Sequence, residues 1–187
     1  MSHDFWMWDG ELSGATCDHL ISMGDEKWES GRILDTDNNS APKHDKRVRS
    51  SDLSWIHDKK LAATVYPYMQ SANEQAGWNY DIRGLELPAQ LTRYSKGQFD
   101  SCHRDSLGDH QNSEIMPIKL SMSIILNDEF EGGGFEFVGR NQERQPNFDN
   151  KRGSICVFPS FMLHEVKPIV SGIRYSLVVW FVGPAFK

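Results

Sequence analysis

From Gly84 onward the chain breaks into short runs of branched and aromatic residues separated by Gly, Pro, Asn and Asp. The runs are Gln90 to Tyr94, Ile118 to Leu126, Gly134 to Val138, Ser154 to Phe158, Leu163 to Ile169 and Arg174 to Val182. Runs of that length and texture between turn formers read as strands. Ahead of them, Ser13 is placed to N-cap a short helix running to about Met23, with Ala15, Leu20 and Ile21 on its apolar face and Gly24 as its stop. Between Ser54 and about Gly77, residues Ile56, Leu61, Val65, Tyr66 and Met69 fall near helical spacing, and Pro67 is expected to kink or divide the segment. Helices first and many short strands afterwards predict a mainly β fold with N-terminal helices, a sandwich or barrel with one sheet buttressed by helix. The chain has no internal repeat.

At 187 residues, 39% of them hydrophobic, the sequence can bury one sizeable core. The expectation is a single domain over 1–187, with a helical support over about 1–80 and a β core over about 85–187. The net charge of -6 speaks against the broad basic footprint that phosphate backbones require, so no nucleic-acid partner is expected. No apolar stretch approaches the roughly 18 residues of a membrane span. Met1 to Glu11 carries acidic residues and the tryptophans Trp6 and Trp8 where a signal peptide would be basic and then apolar. A soluble, cytoplasmic protein is expected, with no membrane partner. Cys17, Cys102 and Cys156 are odd in number, widely spread and free of any Cys-x-x-Cys pair, so they read as reduced thiols.

His103 and Asp105 lie two residues apart at what reads as a strand end, a spacing that lets both side chains leave one face and converge. Alone, the pair reads first as a surface histidine beside a solvated aspartate. His164 follows a Phe-Pro-Ser turn and opens an apolar strand, where an isolated histidine reads first as a satisfied core or edge residue. The third feature changes the balance. In GIRYSLVVWFV, Arg174 and Ser176 share a strand face with Val178 and Trp180. A guanidinium on so apolar a strand is costly to bury without an anion, and Arg with a neighbouring hydroxyl suits a bidentate carboxylate. An internal Asp or Glu partner is the structural alternative. Two histidines and one carboxylate with open positions form the ligand set expected of a non-haem Fe(II) oxygenase.

The order His-x-Asp, His, then Arg-x-Ser resembles the Fe(II)/2-oxoglutarate dioxygenase superfamily, most closely its prolyl 4-hydroxylase-like branch. The likeness runs from about Leu87 to Pro184, through QLTRYSKGQFDSCHRDS, KLSMSIILNDEFEGGGFEF, GSICVFPSFMLHEVKP and GIRYSLVVWF. More weakly, KRVRSSDLSWI is similar to the arginine- and serine-containing segment that precedes the branch's support helix. The resemblance implies a double-stranded β-helix, or jelly roll, with the metal at one open end. It implies Fe(II) held by His103, Asp105 and His164, with 2-oxoglutarate and dioxygen as cosubstrates and ascorbate among the supporting reductants the family uses. Arg174 would bind the distal carboxylate of 2-oxoglutarate with Ser176 assisting, and Tyr94 matches a tyrosine that hydrogen-bonds the cosubstrate. Core packing at a strand end is the alternative for Tyr94. Where many relatives have a further tyrosine this chain has Ile125, so no hydrogen bond carries over at that position.

The retained Asp105 favours hydroxylation over halogenation, since halogenating relatives replace the carboxylate. The branch points to a prolyl residue in a peptide or protein as substrate; a free amino acid or other small molecule is the alternative. Trp180, on the Arg174 face, walls a substrate pocket or fills the barrel. The loops from Leu34 to Ser51 and from Val138 to Lys151 are candidate substrate-facing lids or plain solvated connections. Glu131 to Gly134 reads as a turn, because it lacks the phosphate-loop pattern. Nucleobase demethylation is disfavoured by the acidic balance. A non-enzymatic, cupin-like metal-binding barrel has no need of an inward guanidinium.

Overall fold

The computed structural model describes residues 3–24, 26–31, 48–106, 116–139, 144–146 and 151–185. In chain order the elements are β1 (Trp6–Trp8), α1 (Gly14–Ser22), β2 (Glu29–Ser30), β3 (Arg49–Ser50), β4 (Asp52–Ile56), α2 (Leu61–Gln75), β5 (Gly84–Leu85), β6 (Ala89–Tyr94), β7 (Phe99–His103) and β8 (Ile118–Ile125). After them come β9 (Phe130–Gly132), β10 (Phe135–Val138), β11 (Arg144–Pro146), β12 (Ile155–Pro159), β13 (His164–Val166), β14 (Ile169–Gly172) and β15 (Arg174–Val182). The major sheet runs β1-β12-β8-β15-β6-β4-β2, with β5 added beside β15; the minor sheet runs β11-β10-β13-β7-β3. All pairings are antiparallel. This is the mainly β, jelly-roll architecture that the strand pattern and the resemblance predict. No helix among the described residues is long and apolar enough to cross a membrane.

The period of two along the central strands sorts side chains into two layers. On β15, Leu177, Val179 and Phe181 face one way, joined by Leu120, Met122 and Ile124 of β8 and by Ala89 and Leu91 of β6. Against this face lie Leu61, Val65, Met69 and Ala72 of α2 and Cys17 and Leu20 of α1. Burying a leucine, valine or methionine stabilises by roughly 1.5–3 kcal/mol each, so packing rather than capping fixes α2. Lys60, its N-cap residue, makes no side-chain cap bond, although the Lys60 amide donates to Asp58 Oδ1 at 2.8 Å.

The opposite face of the same strands is mostly polar. Gln90, Thr92 and Tyr94 of β6, Ser121 and Ser123 of β8, and Arg174 and Ser176 of β15 are all buried. They look toward the minor sheet, whose Phe135, Phe137 and Val166 belong to a separate apolar cluster that Ile169 of β14 joins. A buried sheet face this rich in hydroxyls, amides and a guanidinium costs stability unless its groups are partnered. That conflict places the candidate site between the sheets.

Several elements differ from the sequence reading. Ser54 to Ile56 is not the start of a helix but belongs to β4, because Leu53 and Ile56 are buried while the strand pairs with both β6 and β2. Helix α2 begins at Leu61 and continues through Pro67 as one element rather than dividing. In α1 the Ser13 Oγ accepts the Thr16 amide at 3.1 Å as expected, but the buried residues are Cys17 and Leu20, and Ala15 is exposed. The run Leu163 to Ile169 is interrupted after Val166, where Pro168 has no amide to give to a ladder, and Ile169 opens β14 in a different sheet. Trp6 and Trp8 pack on the helix-side core, Trp8 edge-on to Tyr68 at 5.4 Å, while Phe5 and Met7 alternate onto the other cluster.

Candidate metal centre and anion pocket

His103 ends β7 and His164 opens β13, and the two are direct cross-strand partners with ring centroids 4.3 Å apart. Each Nδ1–H donates to a carbonyl two residues back, His103 to Ser101 at 2.7 Å and His164 to Met162 at 2.9 Å. That fixes both tautomers with the Nε2 lone pair free to ligate. Asp105 lies just past the end of β7 rather than on the strand, as the two-residue spacing had implied. It reaches the same point because its amide and that of Ser106 donate to the Ser160 carbonyl, at 3.0 and 3.1 Å.

Asp105 Oδ1 is 3.7 Å from His103 Nε2 and 3.8 Å from His164 Nε2, too long for hydrogen bonds. One ligand atom from each of the three residues lies within 4.8 Å of the others, the only such group of three or more His, Cys, Asp and Glu among the described residues. His164 is only 4% exposed and is walled by Phe158 and Phe135, at 4.9 and 5.3 Å between ring centroids. Burial holds the His164 pKa below its usual value, keeping the imidazole neutral. For Asp105, burial alone would raise the pKa, but His164 and His103, aided by Ser121 and Trp180, hold it below the ordinary range. A neutral imidazole and an ionised carboxylate are the forms a metal requires.

Arg174 has no exposed surface. Its Nη1 donates to Ser176 Oγ at 2.8 Å, while Nε and Nη2 are buried with no hydrogen-bond partner among the described residues. The guanidinium lies 5.5 Å from the Tyr94 ring centroid, and burial pulls its pKa down to about 10, leaving it charged at neutral pH. Two idle donors on a buried cation are what an anion site requires, and the carboxylate partner that would make Arg174 purely structural is absent among the described residues. Tyr94 is buried too, and burial, followed by the Asp100 carboxylate, pushes its pKa up to about 12 against the pull of Arg49 and Arg174.

One pocket is lined by His103, Asp105, His164, Tyr94, Arg174, Ser176 and Trp180, so every residue singled out in the sequence meets there. It also takes in Arg49, Gln90, Asp100 and Ser123, which the sequence reading did not single out. Arg49 and Asp100 are cross-strand partners on β3 and β7, with Arg49 Nε 3.3 Å from Asp100 Oδ2. The alternation of Ser121 and Ser123 with leucine and methionine in KLSMSIIL was the available signal for a polar inner face. Ile125, opposite Ser176, is fully buried. The glycine segment turns as expected, Gly132 and Gly133 having φ of 78° and 64°. Most of both candidate lid loops, 34–51 and 138–151, lies outside the described residues; of the first, Arg49–Ser50 is β3, and of the second, Arg144–Pro146 is β11.

Residues 89–182 match the model of the 2OG-Fe(II) oxygenase superfamily. A PKHD-type hydroxylase of Synechococcus sp. (strain CC9311) is 26% identical over 178 residues, covering 90% of this chain and 74% of the relative. The chain spans 42% and 61% of two other PKHD-type hydroxylases. In fold it is similar to the viral collagen prolyl hydroxylase of Paramecium Bursaria Chlorella virus-1 in its 2OG complex, at a TM-score of 0.68, 20% identity and 96% coverage of both chains. It is also similar to a prolyl hydroxylase from Trichoplax adhaerens in complex with a hypoxia inducible factor peptide fragment, at a TM-score of 0.63, 18% identity, and 96% and 83% coverage.

Proposed function

The chain belongs to the 2OG-Fe(II) oxygenase superfamily, and on that premise we propose that it hydroxylates a prolyl residue of a peptide or protein at the pocket between its two sheets. It is a 2-oxoglutarate-dependent dioxygenase, with Fe(II) as cofactor and dioxygen as second cosubstrate. The observation that carries the assignment of the site is Arg174, a fully buried cation with two idle donors, lining the same pocket as the His103, Asp105 and His164 cluster. A barrel that merely binds a metal has no reason to bear the cost of that charge.

His103 and His164 present their Nε2 atoms and Asp105 a carboxylate, a two-histidine, one-carboxylate set that would hold Fe(II) and leave positions open for the cosubstrates. Fe(II) held there would supply, with 2-oxoglutarate and dioxygen, the oxidising power to place one oxygen atom in a C–H bond, the other going into succinate as carbon dioxide is lost. Arg174 and Ser176 take the distal carboxylate of 2-oxoglutarate, and Tyr94, held as a neutral phenol, is available to donate to it. Phe135 and Phe158 keep water from His164.

A prolyl substrate is supported by the relatives, which include a putative prolyl 4-hydroxylase of Acanthamoeba polyphaga mimivirus, and by solved prolyl hydroxylases of the same fold, one holding a peptide. The test is incubation of the Fe(II)-loaded chain with 2-oxoglutarate, isotopically labelled dioxygen and a panel of proline-containing peptides. The expected result is one labelled oxygen on proline for each succinate formed. Succinate formation stimulated by a free amino acid, with every peptide unmodified, would replace the prolyl reading with the small-molecule one.

A further inference from the structure

The two oxygens of Asp105 stand in different surroundings. Oδ1 faces His103 Nε2 and His164 Nε2 at 3.7 and 3.8 Å. Oδ2 is buried and has no partner at full hydrogen-bond geometry among the described residues, and the same is true of Ser121 Oγ and Trp180 Nε1. These three atoms are not independent. Ser121 and Trp180 are direct cross-strand partners on β8 and β15, so their side chains leave the same inner face side by side, and Trp180 lines the pocket that Asp105 lines. A hydroxyl and an indole N–H are donors, a carboxylate oxygen accepts, and leaving all three unpaired in the interior costs each its full desolvation penalty.

We infer that Ser121 and Trp180 are positioning residues of the metal centre, which hold Asp105 Oδ2 between two donors so that the carboxylate offers the metal Oδ1 alone. The inference rests on the reading of Asp105 as a metal ligand. Its consequence concerns the open positions. A carboxylate that swung round to ligate through both oxygens would take a position the cosubstrates need, and the two donors oppose that swing by requiring Oδ2 for themselves. Partners of this kind orient metal ligands in general, and losing one typically weakens metal binding by about 10–100-fold. Trp180 therefore does more than wall the pocket: it lines the cavity, and its buried, otherwise unpartnered N–H is the donor that fixes a ligand.

The test uses Mn(II) as probe on the full chain, with no turnover required. Affinity and the number of metal-bound waters are measured by proton relaxation for the wild type, Ser121→Ala, Trp180→Phe, Ser121→Thr and Asp105→Ala, each checked for folding by thermal unfolding. Ser121→Ala and Trp180→Phe are expected to weaken binding by about 10-fold or more and to lose one bound water as the carboxylate rotates. Ser121→Thr, which restores the hydroxyl, is expected to recover both, and Asp105→Ala to bind Mn(II) most weakly. Ser121→Ala deletes a single oxygen and keeps the question open to measurement if Trp180→Phe does not fold. If folded Ser121→Ala binds Mn(II) with wild-type affinity and hydration while Asp105→Ala does not, the positioning role is wrong and the metal site stands. If Asp105→Ala binds like the wild type, the reading of Asp105 as a ligand falls, and the inference with it.

Discussion

Arg174 and Tyr94 face each other across β15 and β6, with the guanidinium carbon 5.5 Å from the phenol ring centroid. The ring gives the cation a partial counterweight of cation–π type, worth about 2 kcal/mol when desolvated, but no proton acceptor for the two idle donors. Ser176 satisfies only Nη1. The pairing thus holds a charge in the interior in a state that an incoming carboxylate improves.

Replacing Arg174 with methionine tests that state directly. The lowering of its pKa to about 10 through burial corresponds to a folding cost on the order of 3 kcal/mol. Arg174→Met should therefore unfold at or above the wild-type temperature without ligand, since an apolar chain replaces an uncompensated cation. Added 2-oxoglutarate should raise the wild-type Tm and leave the variant unmoved. Differential scanning calorimetry with and without 2-oxoglutarate reads both effects, and a variant still stabilised by the ligand would remove Arg174 from its site.

Gly133 lies beside the Arg174 side chain, close to its Cδ. Its φ is +64°, and a Cβ there would stand 2.4 Å from Ile169 Cδ1 and 3.0 Å from Arg174 Cδ. Gly133→Ala should destabilise by about 1–2 kcal/mol through the backbone alone and also weaken 2-oxoglutarate binding by shifting Arg174, with Mn(II) affinity unchanged. Gly97 is the control, because its φ is +78° but nothing lies within 4 Å of its added Cβ. Gly97→Ala should lose comparable stability in urea unfolding and keep its 2-oxoglutarate affinity. Equal effects of the two substitutions on binding would show that Gly133 is only a turn residue.

The alkaline limb of stability should carry a contribution from Tyr94. Its folded pKa is raised from 10.0 to about 12, so the fold favours the neutral phenol: that contribution is fully present below pH 10 and is lost as the pH rises from 10 to 12. Arg174 has the opposite sign, since its folded pKa is lowered, and its burial cost is relieved as the pH rises past about 10. Tyr94→Phe isolates the tyrosine. The difference in ultraviolet tyrosinate absorbance between wild type and Tyr94→Phe should appear near pH 12. A difference that titrates near pH 10 would mean that Tyr94 is open to solvent.

Legibility in the sequence followed how local the cause was. Strand β15 coincides with the run Arg174 to Val182, because a period of two over nine residues is written along the chain itself. His164 opens its strand as read, and the helix cap at Ser13 is a three-residue signal. The segment Ser54 to Ile56 failed because its apolar spacing fits a helix, while pairing with β6, far along the chain, makes it a strand. Asp105 was found for an incomplete reason. The two-residue spacing suggested a shared strand face, but the Ser160 carbonyl, tens of residues away, sets its position. Arg49 with Asp100, and Ser121 with Trp180, are pairs made by sheet register between distant strands, and no local pattern says which residue meets which.

The central claim is a single centre in which His103, Asp105 and His164 hold iron while Arg174 anchors 2-oxoglutarate. It is tested most directly by anaerobic titration of the Fe(II)-loaded chain with 2-oxoglutarate, monitoring the weak visible charge-transfer band of a chelated complex. A saturable band is expected in the wild type, with a much higher 2-oxoglutarate requirement in Arg174→Met and no band in His103→Ala. Wild-type protein that holds iron yet shows no band, or a band that survives His103→Ala unchanged, would contradict it.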